Sequence, residues 1–99
     1  MRYLVIMPDY TGSCVREEFG EEVELEDLGL PRNVVDEIVV WHNSYREIIP
    51  LDEKEKKQRI DQVETLDTQG LKIAKQLKTL VPGRAKVKYF SEGKLKYLD

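Results

Sequence analysis

The chain has 99 residues, of which 40% are hydrophobic and 35% are charged, and its formal net charge at pH 7 is −3. This length supplies one hydrophobic core, so a single domain over residues 1–99 is expected. Cys14 is the only cysteine, which excludes an internal disulfide and a tetrathiolate zinc site. No apolar run is long enough to span a bilayer and no signal-peptide pattern opens the chain, so we expect a cytoplasmic protein with no membrane partner.

The charged side chains are unevenly distributed. Residues 1–50 carry four basic and eleven acidic side chains, whereas residues 51–99 carry twelve basic and eight acidic ones. Between Glu17 and Asp27 there is no lysine or arginine, and the seven carboxylates are those of Glu17, Glu18, Glu21, Glu22, Glu24, Glu26 and Asp27. Such a segment favours a basic partner and repels nucleic acid, although a plain solvated loop would also explain a single acidic run.

The N-terminal quarter predicts a strand followed by turns. Residues 2–7 contain the apolar run Tyr3-Leu4-Val5-Ile6, which indicates a buried strand, and Pro8 ends this strand. Residues 9–13 have the composition of a turn, in which Gly12 can take a positive φ. Alternating apolar and polar residues on both sides of Gly20, with Phe19 among the apolar ones, indicate a short hairpin.

Two amphipathic helices are predicted next. Residues 32–49 are amphipathic at the helical period, with one broad apolar face from which Val40 points away. Pro50 ends this predicted helix. The face comprises Val34, Val35, Ile38, Val39, Trp41, Tyr45, Ile48 and Ile49.

Asp52, with Glu55 three positions later, is expected to cap a second helix that runs from about 53 to 80. Its apolar arc comprises Ile60, Val63, Leu66, Leu71, Ile73, Ala74, Leu77 and Val81. Gly70 lies in the middle of this arc, where it would allow the sheet or the first helix to approach closely, and Pro82-Gly83 ends the helix.

The C-terminal residues predict a hairpin. The stretch RAKVKYF alternates between apolar and basic residues, SEG is a turn signal, and KLKYL alternates again. The resulting order of elements predicts an α/β (α+β) two-layer sandwich. We expect a small mixed sheet with the N- and C-terminal strands at its centre and two helices on one face.

Known catalytic templates do not match this chain. The loop around Gly12 lacks the Walker, dinucleotide-binding and nucleophile-elbow spacings. A phosphatase-like loop would need an arginine six positions after Cys14, where Gly20 stands. Cys14 and His42 lack any signal that would bring them together, and no metal-ligand spacing is present. We therefore predict no catalytic residue, no metal site, no cofactor and no enzymatic activity.

Aromatic and basic residues raise two alternatives. Trp41 and Tyr45, four residues apart on the first helix, are typical of core packing, while an interface role would also suit their chemistry. Lysines recur along the long helix and the final hairpin, which leaves a nucleic-acid-binding domain as a less favoured alternative. These lysines are Lys72, Lys75, Lys78, Lys86, Lys88, Lys94 and Lys96.

The order of several short motifs resembles a known family. DYTGS follows the first strand, an acidic stretch ends in EDLGL, and a Trp and a Tyr lie in the first helix. The segment LDTQGLKIAKQLKTLVPGRAKVKYF is the last of these features, which together cover most of the sequence. In these features the chain is similar to small cytoplasmic immunity proteins of bacterial contact-dependent growth inhibition and related polymorphic toxin systems.

This resemblance implies that the protein neutralises one cognate toxin C-terminal domain by tight, stoichiometric binding. Such toxins are often nucleases with basic clefts, which an acidic surface can occupy in place of phosphates. The acidic residues from Glu17 to Asp27, together with Asp9 and Tyr10, are the expected toxin-binding residues. A small regulatory or adaptor module with an unrelated partner is the alternative, and the edges of an open sheet leave weak homodimerisation open.

Overall fold

The computed structural model describes residues 1–9 and 12–98 of the chain. Within these ranges there are four strands: β1 (Arg2–Ile6), β2 (Val15–Glu17), β3 (Ala85–Ser91) and β4 (Lys96–Leu98). A short 3-10 helix (Leu25–Leu28) and the α-helices α1 (Arg32–Tyr45), α2 (Glu53–Gln58) and α3 (Ile60–Leu80) lie between β2 and β3. None of the described helices is long and apolar enough to cross a membrane.

The strands form one mixed sheet in the order β2-β1-β3-β4. β1 and β3 are parallel neighbours at its centre, with Leu4 opposite Val87 and Ile6 opposite Tyr89. β2 and β4 pair antiparallel at the two edges. The predicted α/β sandwich is therefore confirmed, with the first strand and the leading strand of the C-terminal hairpin in the centre.

Alternation along the central strands divides the sheet into two faces. Leu4, Ile6, Val87 and Tyr89 are buried beneath the helices, whereas Lys86 is exposed on the other face. These inner residues share one core with the buried residues of α1 and α3. The alternation expected from the sequence is thus what builds the two layers.

Trp41 and Tyr45 lie in this core, as the core-packing interpretation predicts. Both side chains are fully buried, and their ring centroids are 5.7 Å apart in an edge-to-face arrangement. The indole Nε1 of Trp41 donates a hydrogen bond of 2.8 Å to the carbonyl oxygen of Leu66. This bond satisfies the polar group of a buried ring and joins α1 to α3.

The close approach predicted at Gly70 is confirmed. Gly70 is buried in α3, and a Cβ atom there would lie 2.3 Å from Cε1 of Tyr89. The missing side chain therefore makes room for the Tyr89 ring between α3 and β3. Glycine is the residue that this contact requires.

The helix boundaries partly correct the predictions. α1 ends at Tyr45 rather than 49, because the backbone tightens: the N–H groups of Ile48 and Ile49 both donate to the carbonyl of Tyr45. Ile48 is still buried, but Val39, predicted on the apolar face, is 42% exposed. Val40, predicted to point away from the face, is 63% exposed.

The second helical segment is interrupted at Arg59, which separates α2 from α3. Residues 53–59 contain no apolar side chain, so no continuous apolar stripe holds both parts against the core. The helix does continue through Gly70, as predicted, and Asp52 caps α2 by accepting a 2.8 Å hydrogen bond from the Glu55 N–H. Ile60 and Leu71, predicted in the apolar arc, are exposed at its margins.

The hairpin predicted around Gly20 is reduced to one isolated bridge, between Arg16 and Glu22. β2 pairs through its other edge with β1, and its register places Val15 opposite Ile6. The returning segment extends no further, because Val23 turns into the core and the 3-10 helix begins at Leu25. The predicted C-terminal hairpin is confirmed as β3 and β4.

Candidate functional site

The acidic segment is defined here as residues 21–27, which follow β2 at one edge of the sheet. Val23 and Leu28 are buried in the core, and the Val23 N–H donates a 2.9 Å hydrogen bond to the carbonyl of Val15. The side chains between these buried positions face solvent, apart from the half-buried Leu25. Two apolar contacts therefore hold the backbone in place while the carboxylates project outward.

Five of the predicted toxin-binding residues lie in this segment, and all five are exposed. They are Glu21, Glu22, Glu24, Glu26 and Asp27. No salt bridge within residues 1–9 and 12–98 engages any of them. Glu24 precedes the 3-10 helix without a capping hydrogen bond from its side chain. These carboxylates therefore make a negative surface that the described part of the fold does not neutralise.

Glu17 and Glu18 differ from the other five because each has a basic partner within the fold. The Glu17 carboxylate accepts a 2.6 Å hydrogen bond from the Arg2 guanidinium, and the Glu18 carboxylate forms a salt bridge with Lys88. Both side chains are partly buried. Their contribution to the outward negative field is smaller, and they fix the end of β2 to the two central strands.

Asp9 lies in the loop after β1, and Tyr10 lies outside the described residues. The Asp9 backbone contacts Nε2 of His42 through both its N–H, at 3.0 Å, and its carbonyl, at 2.7 Å. Asp9 and Glu22 both line a depression of about 270 Å³. The fold therefore brings Asp9 next to the start of the acidic segment, although the two are separated in sequence.

Cys14 and His42 do not have the properties of a nucleophile and base. Burial raises the pKa of the Cys14 thiol to about 12, so that the thiol stays protonated at neutral pH. Burial also lowers the pKa of His42, and its Nε2 is occupied by the Asp9 backbone. The described residues contain no group of His, Cys, Asp and Glu side chains that could hold a metal ion. His42 is buried, and its hydrogen bonds to the Asp9 backbone give it a structural role.

A buried polar cluster is the feature that sequence reasoning missed. The Asp67 carboxylate accepts hydrogen bonds from the hydroxyls of Tyr45, Tyr89 and Ser91 at 2.9, 2.7 and 2.7 Å. Tyr45 and Ser91 in turn accept the backbone N–H groups of Gly93 and Lys94. The available signal was the position of Asp67, which follows Leu66 and precedes Gly70 within the apolar arc of α3.

The basic side chains form a second surface, along α3 and the central strand β3. A groove of about 1040 Å³ between α3 and β3 is lined by Lys75, Lys78, Lys86 and Lys88, among others. Lys86 lies 5.9 Å from the centre of the Tyr3 ring, and Lys72 forms a 3.6 Å salt bridge with Glu37. Part of the positive charge is therefore used within the fold.

The fold and these side chains define a small two-layer α/β protein with one acidic, solvent-facing edge. The family model described as Serratia CdiI immunity protein-like matches residues 2–92. The protein belongs to this family, which confirms the resemblance to immunity proteins. Membership supports an immunity function and implies a toxin protein as partner, a role that needs no catalysis. No curated protein sequence matches the chain.

Proposed function

We propose that the protein neutralises its cognate toxin by binding the toxin's C-terminal domain through the acidic segment. The toxin domain would be a nuclease whose basic cleft normally holds nucleic-acid phosphates. The observation that carries this proposal is the set of five exposed carboxylates without a salt bridge in the described part of the chain. Asp9 would extend this surface, and Tyr10 is proposed as its neighbour from the sequence alone.

An acidic surface affects both the rate and the selectivity of association. A concentrated negative surface steers a basic partner and raises the rate of encounter, by about 10- to 1000-fold in strongly charged systems. Side chains already paired inside the fold would contribute less, because their charge is compensated. Glu17 and Glu18 are therefore secondary members of the proposed surface, and Glu21, Glu22, Glu24, Glu26 and Asp27 are primary ones.

Two other functions make different predictions. A regulatory or adaptor module would bind an unrelated protein, and its gene would not neighbour a toxin gene. A nucleic-acid-binding domain would use the lysine-lined groove between α3 and β3. A large toxin gene immediately upstream favours inhibition over both, and an unrelated operon argues against it. As an inhibitor without an internal disulfide, the protein would act in the reducing cytoplasm.

The charge of the acidic segment can be reversed and compared with a matched change elsewhere. The test variant is Glu21→Lys with Glu24→Lys, and the control is Glu47→Lys with Glu64→Lys, which makes the same change in net charge. All four side chains are exposed, and no described salt bridge includes them. Thermal unfolding should show similar stability for the test variant and the control variant.

Association with the C-terminal domain encoded by the upstream gene is then measured by stopped flow at low and high salt. The test variant should associate at least about 10-fold more slowly at low salt and show a weaker salt dependence. The control variant should retain most of the wild-type rate. Equal rates and equal salt dependence for the test variant and the control would show that the acidic segment is not the contact surface.

A further inference from the structure

Phe19 is the most exposed large apolar side chain in the described part of the chain. Its side chain is 95% accessible to solvent, at the tip of the turn that links β2 to the acidic segment. Glutamates occupy the two positions before it, and Glu21 and Glu22 follow Gly20. Folding gains almost nothing from this ring, because burial of apolar surface is what stabilises a fold. A phenylalanine surrounded by acidic residues is therefore unexplained by the stability of the domain.

The turn that carries Phe19 is held on both sides. The Gly20 N–H donates to the carbonyl of Glu17 at 3.2 Å, and the Glu17 N–H donates to the carbonyl of Glu21 at 3.0 Å. The Glu18 N–H reaches across to the carbonyl of Tyr3 at 2.9 Å. The salt bridges of Glu17 with Arg2 and of Glu18 with Lys88 add side-chain contacts on the same two residues. The backbone around Phe19 is thus ordered before any partner arrives.

Other apolar side chains lie beside Phe19. Met1, Tyr3 and Phe19 line one depression of about 370 Å³, together with Arg2, Glu17, Glu18 and Gly20. Met1 and Tyr3 are also exposed. The result is a small apolar patch at the β2 edge of the sheet, next to the carboxylates that follow it. An apolar centre with a charged surround is the usual arrangement of a protein–protein contact.

We propose that Phe19 is the central binding residue of the toxin interface and inserts into an apolar pocket of the toxin domain that has basic residues at its margin. This inference rests on the proposed function and names the residue that would supply most of its affinity. Charge complementarity selects the occupant. Arg2 and Lys88 compensate Glu17 and Glu18 at the patch itself, but the carboxylates of the adjoining acidic segment have no salt bridge in the described part of the chain and would repel an acidic surface. A ring on a preformed turn loses little conformational freedom on binding, which favours a large contribution to affinity.

The test compares Phe19→Ala with Val40→Ala, which removes another exposed apolar side chain from α1, on an unrelated part of the surface. The probe is the C-terminal domain of the toxin encoded upstream. Phe19→Ala should raise Kd by about 30-fold or more, chiefly by faster dissociation. Phe19→Leu should recover part of this loss, and Val40→Ala should leave Kd within about twofold of wild type. Unfolding curves should be unchanged for Phe19→Ala, since the ring is exposed in the isolated fold.

The outcomes separate this inference from the proposed function. A wild-type protein that does not bind the toxin domain overturns both. Wild-type binding that survives Phe19→Ala overturns the role of Phe19 alone, whereas the charge-reversal variant tests the acidic segment through the association rate and its salt dependence. If Phe19→Ala leaves toxin binding intact and instead dissociates a homodimer in analytical ultracentrifugation, the patch is a contact between two copies and the inference is wrong.

Discussion

Replacing Gly70 with alanine tests how tightly α3 and β3 are packed. The added Cβ would lie 2.3, 2.5 and 2.6 Å from Cε1, Cζ and the hydroxyl oxygen of Tyr89. The Tyr89 ring cannot simply swing away. Its hydroxyl donates a 2.7 Å hydrogen bond to Asp67, and its ring centroid lies 6.0 Å from that of Trp41. Either the helix must move away from the strand or this hydrogen bond must break.

The expected magnitude is the difference between opposing effects. Alanine favours a helix over glycine by about 1 kcal/mol. Overpacking a well-packed core costs about 1–3 kcal/mol, and loss of a hydrogen bond to a charged acceptor would cost a further 1.5–3 kcal/mol or so. We therefore expect Gly70→Ala to lower the free energy of unfolding by about 1.5–5 kcal/mol, with a fall in Tm of at least roughly 5 °C for a domain of this size.

Urea unfolding followed by circular dichroism measures this difference, and a second background identifies its cause. In a Tyr89→Leu variant, the three ring atoms next to Gly70 are absent. There Gly70→Ala should be neutral or stabilising, because the helix propensity of alanine acts alone. If Gly70→Ala stabilises the wild-type protein, or destabilises both backgrounds equally, the Tyr89 ring does not set the cost of a side chain at position 70.

Two further predictions concern the buried polar groups. Tyr89→Phe keeps the ring but removes one donor to Asp67, so it should lower the free energy of unfolding by about 1.5–3 kcal/mol. Tyr97→Phe, which removes a hydroxyl from an exposed ring, is its control, and equal effects of the two in urea unfolding would contradict a role for the Asp67 cluster. For His42, burial lowers the pKa in the folded state below 6.5, so the unfolded chain binds the proton more readily. Its contribution to stability is therefore complete above the unfolded pKa and is lost as pH falls from about 6.5 toward the folded pKa. Wild type should lose more stability than His42→Gln between about pH 7.5 and pH 5.5, and parallel losses would show that His42 is not responsible.

The regular elements could be predicted because local pattern and tertiary packing agree. The alternation in β3 matches its two faces, and the helical period through Gly70 matches the buried side of α3. At Arg59 the sequence pattern was misleading. Charged residues with good helix propensity favour continuation of the helix, but they supply no apolar contact that would hold α2 and α3 in line.

The candidate site was predictable in its charge but not in its pairing. Seven carboxylates are visible in the sequence, yet nothing local shows that Glu18 meets Lys88, seventy positions away. That contact depends on β1 lying between β2 and β3 in the sheet. The same limit explains Asp67, whose donors come from α1 and β3, and Phe19, whose place in an alternating pattern indicated a strand although the turn exposes it.

The acidic segment is hard to explain as a structural element alone. Carboxylates close together repel one another and disfavour the compact state. In the described part of the chain no salt bridge offsets this for the carboxylates of residues 21–27. The fold holds them in place through Val23 and Leu28 instead. The two glutamates that do have partners, Glu17 and Glu18, sit beside Phe19 and order its turn. Surface salt bridges of this kind contribute only about 0–1 kcal/mol each to stability, so their main effect is on the position of the turn. Uncompensated charge next to an ordered, exposed aromatic ring is therefore not explained by the stability of the domain, and this supports the proposed contact with a basic protein partner.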